Sequence, residues 1–475
     1  MGKLAIAAHN GEIDMRAHNA EGIMLPAIGS RFRRRSSIPI LSAITLAIAV
    51  LVVSPIALAQ DRQGDIQWVG TWATSPTATN AVSFSNQILR MIVRVSVGGQ
   101  TVRVRFSNAY GTKPLVIGAA HIALRAPCTV QLVPYTYNPP PPPGTCSTAA
   151  GAAIVSGSDR VLTFGGSPST KIWTGALAVS DPVELDVPAR ADLAVSFYLP
   201  GDVPGTLQIT RHGTAKQTSY ISPPGDYTAS TVMPVSAATL SWYFVNTVEV
   251  MASEQTGAIV AFGDSLTDAN VSTPDTNSRW PYELARRLIA QPGNHKMGVL
   301  DHGTGGDRVL WDSTAAVVGA NDAGLHRFDR DVIAQTGVTH VIVLLGINDL
   351  RNQDPALYVT ADDMISGYKQ MIERAHARGI KIFGGTLIPW WQATFTPGEW
   401  ALWKWEIREQ VNAWIRTSGA FDAVIDFDKC LADPNDPKNM LAIYDSADHL
   451  HPNDFGYIHM GDCIDLSLFK NGEGH

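Results

Sequence analysis

Four short polar segments in the second half of the chain carry side chains that could do chemistry together. Gly263-Asp264-Ser265-Leu266-Thr267-Asp268 offers a hydroxyl, and Gly303-Thr304-Gly305-Gly306-Asp307-Arg308 a glycine-rich turn. Gly346-Ile347-Asn348-Asp349 offers an amide, and Asp448-His449-Leu450-His451-Pro452-Asn453 a carboxylate and two imidazoles. A serine hydroxyl is a poor nucleophile at neutral pH and needs a base to take its proton as the new bond forms. Imidazole titrates in the range suited to that exchange. A carboxylate three residues before a histidine can reach its other ring nitrogen without help from another chain segment. Taken singly, Ser265 reads equally well as a helix N-cap. Its surroundings are also not the Gly-x-Ser-x-Gly of an α/β-hydrolase elbow.

What would position these segments is a set of strands, each ending just before one of them. Apolar runs at 259–262, 338–345, 380–387 and 424–427 alternate with helical stretches at 281–289, 361–378, 399–417 and 455–469. Continuous apolar strands alternating with amphipathic helices predict a parallel sheet covered on both faces. In such a sheet the loops at the carboxyl ends of the strands gather along one edge.

The preceding stretch, 61–254, reads differently. Val93, Val95 and Val97 alternate with Arg94 and Ser96, and after Gly98-Gly99 come Val102, Val104 and Phe106 alternating with Arg103 and Arg105. This pattern predicts a hairpin around a two-residue glycine turn. Leu193, Val195, Phe197 and Leu199 repeat the period, turn residues are frequent, and the whole predicts an all-β sandwich. A proline run at 139–143 is stiff and extended, and reads as a surface spacer.

Residues 1–60 form a third region. Arg31, Arg33, Arg34 and Arg35 precede an apolar run at 38–58 and the small-x-small triplet Ala57-Leu58-Ala59. That layout predicts an export signal with an upstream extension rather than a membrane anchor, with Met24 as an alternative start. Arg33-Arg34-Arg35-Ser36 gives a weak hint of twin-arginine export. The expected division is therefore 1–60, 61–254 and 255–475. Four cysteines fall into two local pairs, Cys128 with Cys146 and Cys430 with Cys463, which an exported chain would oxidise to disulfides and a reducing compartment would keep as thiols. The net charge of −7 gives no footprint for nucleic acid or an anionic membrane.

Taken in order, the four segments resemble the four blocks of the SGNH/GDSL hydrolases: Gly-Asp-Ser-Leu, a glycine turn, Gly-x-Asn-Asp and Asp-x-x-His-Pro. The resemblance spans roughly 258–469. The stretch 268–288, with Arg279-Trp280-Pro281, is similar to the branch bearing an N-terminal β-domain, as is Trp68-Val69-Gly70-Thr71-Trp72-Ala73. It implies a three-layer α/β/α, flavodoxin-like domain after the all-β sandwich. It also implies a serine esterase needing no cofactor or metal, which the export signal would make secreted or periplasmic. Ser265 would be the nucleophile, His451 the base and Asp448 its partner. The Asp-x-x-His-Pro context favours His451 over His449. The oxyanion would be held by the backbone N–H groups of Ser265 and Gly306 and by the Asn348 amide. Gly306 is favoured over Gly305 because it directly precedes Asp307.

Trp390 and Trp391 follow a strand at the same edge, and either line a substrate subsite or cover the core. Trp400, Trp403 and Trp414 read as packing. The expected substrate is a small-molecule or polysaccharide ester, with an acetylated polysaccharide one candidate, and no stable membrane partner once the signal is removed. Alternatives are a lipase or lysophospholipase of the same fold, a metal hydrolase built on Asp445, Asp448, His449 and His451, and a non-catalytic secreted glycan-binding protein.

Overall fold

Alternating burial builds the N-terminal region of the computed structural model. The model describes residues 66–129, 145–253, 256–292, 296–312, 322–352, 354–391, 393 and 401–469. The export signal and the proline run expected from sequence lie outside the described residues. Strands β1 (Ile66–Ala73), β2 (Phe84–Arg94), β3 (Gly99–Ser107), β4 (Ala119–Leu124), β5 (Val183–Val187), β6 (Asp192–Val203), β7 (Ile209–His212), β8 (Ser219–Ile221) and β9 (Val245–Ser253) make its frame. One sheet runs β1-β9-β3-β5, and a second has β8-β2-β6-β4 at its centre. The pairs within both are antiparallel. Along β3 Thr101, Arg103 and Arg105 are half-buried while Val102, Val104 and Phe106 are buried. Those side chains meet Leu89, Met91, Ile122 and Phe197 of the other sheet in one apolar cluster, where Phe106 and Phe197 lie edge to face at 5.4 Å.

The expected hairpin at Gly98-Gly99 is not formed. β2 lies in one sheet and β3 in the other, so the chain crosses the sandwich between them. In the crossing, Val95 N donates to Ala191 O at 3.0 Å and Ser96 N to Thr71 O at 2.8 Å. Neither glycine has a positive φ, as a type I′ turn would require. Gly98 is needed for space, because a Cβ there would come 2.3 Å from the Val187 carbonyl oxygen. A period of two fixes which face of a strand is buried, not which strand it pairs with.

From Ala258 onward strands and helices alternate as β10 (Ala258–Gly263), α1 (Trp280–Ala290), β11 (Gly298–Gly303), α2 (Gly324–Phe328), β12 (Val338–Leu344), α3 (Ile347–Leu350), α4 (Ala361–His376), β13 (Lys381–Gly385), α5 (Leu402–Thr417), β14 (Ala423–Ile425), α6 (Phe427–Leu431) and α7 (Asp454–Asp462). The sheet is parallel throughout in the order β11-β10-β12-β13-β14, the flavodoxin-like arrangement. Every residue of β10 is buried, which is why it reads as an unbroken apolar run. Helix α4 starts in a reciprocal Thr360–Asp363 capping box and buries Met364, Tyr368, Met371, Ile372 and Ala375 at helical spacing. The last helix expected from sequence is two pieces, α7 and a short 3₁₀ turn at Leu466–Phe469.

Both cysteine pairs are disulfides, Cys128–Cys146 and Cys430–Cys463. The described residues belong to one compact unit, Arg62–His475. Within it β1 and the crossing after β2 lie against the α/β region: Gly70 N donates to Thr336 O at 2.9 Å, Val299 N to Ser96 Oγ at 2.9 Å, and Val69 and Ala73 join the α/β core.

Candidate active site

Ser265 stands two residues past β10, at the start of a helical turn that runs toward Asn270. Thr267 N and Asp268 N donate to the Asp264 carbonyl at 3.1 and 3.0 Å, and Asn270 N to the Ser265 carbonyl at 3.0 Å. Asp264 closes the turn, its Oδ1 accepting from Leu266 N at 2.9 Å. Capping therefore falls to Asp264, and the Ser265 hydroxyl is left to point elsewhere. It lies 2.9 Å from His451 Nε2.

The segment carrying His451 is a tight loop before α7. Asp448 serves it twice. Its Oδ1 accepts from the backbone of Leu450 at 2.9 Å and of His451 at 2.7 Å, while Oδ2 meets His451 Nδ1 at 2.6 Å. A carboxylate can only accept, so Nδ1 carries the proton and Nε2 turns its lone pair to the serine hydroxyl. Burial by itself would raise the Asp448 carboxyl. The hydrogen bond and charge of His451, with the two backbone donors, nevertheless hold it down at about 2. Ser265 is 4% exposed and His451 1%, so the contact is shielded from water. His449 pairs instead with Asp445 at 2.6 Å, its side chain half-exposed. The four residues weighed as a metal set thus form two separate pairs.

The glycine turn after β11 is closed by Asp307 N donating to Thr304 O at 3.2 Å, and Gly306 occupies it with φ +83°. That third position of the turn needs a left-handed residue, which glycine supplies without strain. A Cβ on Gly305 would lie 4.0 Å from that of Ser265, so the turn runs beside the serine. Asn348, on α3, reaches the same region: its Nδ2 donates to Asp307 O at 2.9 Å and to Asp264 Oδ2 at 3.2 Å. Its Oδ1 accepts from Arg351 at 3.1 Å, and this donor fixes which side of the amide is oxygen. Burial pushes the Asp264 carboxyl up to about 7.

The loops bring together Ser265, Gly306, Asn348, Asp448 and His451. Trp390 is fully buried in the α/β core. Trp391 is half-buried, edge-on to Trp405 at 5.3 Å with Lys438 Nζ 4.4 Å over its ring. Two arginines were not anticipated from sequence. Arg351 lies three residues beyond Asn348, a spacing that places both on one helical face and could have signalled the pair. Arg327 carries a comparable signal only for Asp331, four residues on and paired with it at 3.0 Å. Fully buried, it donates to the carbonyls of Gly263 at 2.7 Å and His302 at 3.0 Å and pairs with Asp307 at 2.5 Å, which ties the ends of β10 and β11 to the glycine turn.

Among curated proteins none matches the chain. Similar solved structures each align with less than half of it. A carbohydrate acetylesterase family member from Sinorhizobium meliloti is 17% identical over 45% of this chain and 97% of that one, with a TM-score of 0.36. A GDSL-like lipase from Bacteroides thetaiotaomicron is 20% identical over 44% and 87%, with a TM-score of 0.31. An acetyl xylan esterase is 18% identical over 43% and 96%, with a TM-score of 0.33. Residues 261–458 match the GDSL-like lipase/acylhydrolase family. That segment, which holds the serine, the glycine turn, the asparagine and the histidine loop, is a GDSL-like lipase/acylhydrolase domain.

Proposed function

We propose that the protein is a secreted or periplasmic serine esterase that hydrolyses acyl or acetyl esters through Ser265, His451 and Asp448. The observation that carries the reading is the continuous line from Ser265 Oγ to His451 Nε2 at 2.9 Å and from His451 Nδ1 to Asp448 Oδ2 at 2.6 Å. In the first step the Ser265 oxygen bonds to the ester carbonyl carbon while its proton passes to His451 Nε2. Asp448 holds the ring in the required tautomer and stabilises the imidazolium. Collapse of the tetrahedral species expels the alcohol, which takes the proton from Nε2. Water then repeats the sequence on the acyl-enzyme, releasing the acid and restoring the serine.

The backbone N–H groups of Ser265 and Gly306 and the Asn348 amide are the donors for the oxyanion. The Asn348 amide can serve by releasing its longer contact, 3.2 Å to Asp264 Oδ2. One such donor is worth about 2.7–4 kcal/mol of barrier. Export is supported by the two disulfides, which persist in oxidising compartments. Of the two tryptophans, Trp391 is the one with exposed surface to offer a substrate.

Ser265→Ala tests the proposal. Hydrolysis of p-nitrophenyl acetate is expected to fall to background with the melting curve nearly unchanged, and a serine-directed phosphonate should label Ser265. Substantial turnover by the variant, or labelling of another serine, would refute it.

A further inference from the structure

The turn that carries Ser265 is not held by the α/β region alone. Asp268, one helical turn beyond the serine and 1% exposed, is gripped by three side chains. His212 Nε2 meets its Oδ1 at 3.1 Å, Arg279 pairs with the same oxygen at 2.8 Å, and Thr214 Oγ1 donates to Oδ2 at 3.3 Å. His212 and Thr214 belong to the β-rich region, at the end of β7 and just after it. Arg279 in turn donates to the carbonyl of Ala215 at 2.7 Å, so the two segments are joined in both directions.

His212 is 2% exposed, and its other ring nitrogen, Nδ1, faces the Ser75 carbonyl at 2.9 Å. Ser75 Oγ donates to Asp331 at 2.9 Å and accepts from Arg327 at 3.0 Å, the same arginine that holds the Gly263 carbonyl. The imidazole therefore connects the Ser265 turn to the scaffold under both strand ends. Left-handed backbone occurs on both sides of this seam. Thr214 and Lys216 in the β-rich segment, and Ala269, Asp275 and Asn277 after the serine, are non-glycine residues with φ between 49° and 65°. Such conformations persist where surrounding contacts over-determine them.

We propose that His212 is a positioning residue: through Asp268 it fixes the turn that presents Ser265, which makes the β-rich region part of the catalytic apparatus rather than an attached module. The inference rests on Ser265 as nucleophile. It assigns His212 no contact with substrate.

Two near-isosteric variants separate positioning from mere packing. His212→Asn keeps an amide near Nδ1, facing Ser75, and loses the donor to Asp268. His212→Gln extends its amide to where Nε2 stands. In His212→Asn, kcat for p-nitrophenyl acetate is expected to fall roughly ten- to a hundredfold, as for other small displacements of a reacting group, with KM within about twofold. His212→Gln should recover most of that loss, while the two melting temperatures fall alike. Equal kcat in the two variants, or a loss confined to KM, overturns the proposal. Should neither variant fold, Thr214→Ala decides: a kcat lowered several-fold at constant KM supports the inference, and an unchanged kcat overturns it. Ser265→Ala is measured in parallel. Turnover in that variant sinks the nucleophile reading and this inference with it, whereas a dead Ser265→Ala beside indifferent His212 variants sinks this inference alone.

Discussion

The loop before α7 holds two Asp–His pairs of equal length and unequal standing. Asp445 Oδ2 meets His449 Nδ1 and Asp448 Oδ2 meets His451 Nδ1, each at 2.6 Å. The His449 side chain is 50% exposed and its backbone takes φ +59°, while the His451 side chain is 2% exposed and has Ser265 Oγ on its far nitrogen. The chemistry of the two pairs is the same. What differs is shielding from water and a third partner in line. Exposed ion pairs are screened and contribute little, whereas an imidazole shielded from water is held in one tautomer by its carboxylate, which stabilises the charge the ring gains. An Asp–His pair is thus made useful by where the loop points it.

The sharpest test of this contrast is to delete each imidazole in turn. On the proposed mechanism His451→Ala removes the base, and kcat should fall on the order of 10⁴-fold or more. His449→Ala should leave kcat within about twofold, as expected for an exposed position away from the reacting atoms. Steady-state kinetics on one chromogenic ester compares them, and a large loss in His449→Ala with an active His451→Ala would reverse the assignment. The carboxylates should follow with a smaller gap. Asp448→Asn leaves the ring without its acceptor and favours the wrong tautomer, for an expected loss of about 10²- to 10⁴-fold in kcat. Asp445→Asn should change kcat by less than about threefold. A similar loss in both would mean that the loop as a whole matters, and not the pair that faces Ser265.

The gathering of the Ser265, Gly306 and Asn348 segments was legible in the sequence because each follows a buried strand, β10, β11 or β12. His451 was singled out by its Asp-x-x-His-Pro context alone, its loop lying well beyond β14. β10 and β12 are continuous apolar runs, and in a parallel sheet such runs announce the edge where their loops gather. Boundaries were less legible: α4 stops at His376, and the last helix breaks near Cys463, whose disulfide partner lies on α6. The β-rich region was read correctly in its period and wrongly in its pairing at Gly98, since alternation is blind to which of two sheets receives the next strand. Arg327 and His212 were beyond reach for another reason. Apart from Asp331, four residues beyond Arg327, their partners lie on segments distant along the chain, and a buried arginine or histidine looks the same in sequence as an exposed one. Trp390 and Trp391 are adjacent in sequence, yet one is core and the other half-exposed, because the buried run that follows β13 ends at Trp390 and the chain turns at Trp391.

The smallest expected effect concerns stability. The Asp448 carboxyl is held at about 2 in the folded protein, against about 3.9 for an unperturbed aspartate. A carboxylate whose folded value is depressed contributes stability that is present above its unfolded value and is lost as pH falls through its folded value. With its side chain 18% exposed, the contribution is about 2 kcal/mol at neutral pH. Urea unfolding of the native chain and of Asp448→Asn should therefore differ by about that amount at pH 5, with the gap closing between roughly pH 4 and pH 2. Asp445→Asn should cost less than about 1 kcal/mol at pH 5, because its partner is half in water. A gap between native chain and Asp448→Asn that stayed constant down to pH 2 would mean that the carboxylate is not selectively stabilised by His451, and the distinction between the two pairs would then rest on reach to Ser265 alone.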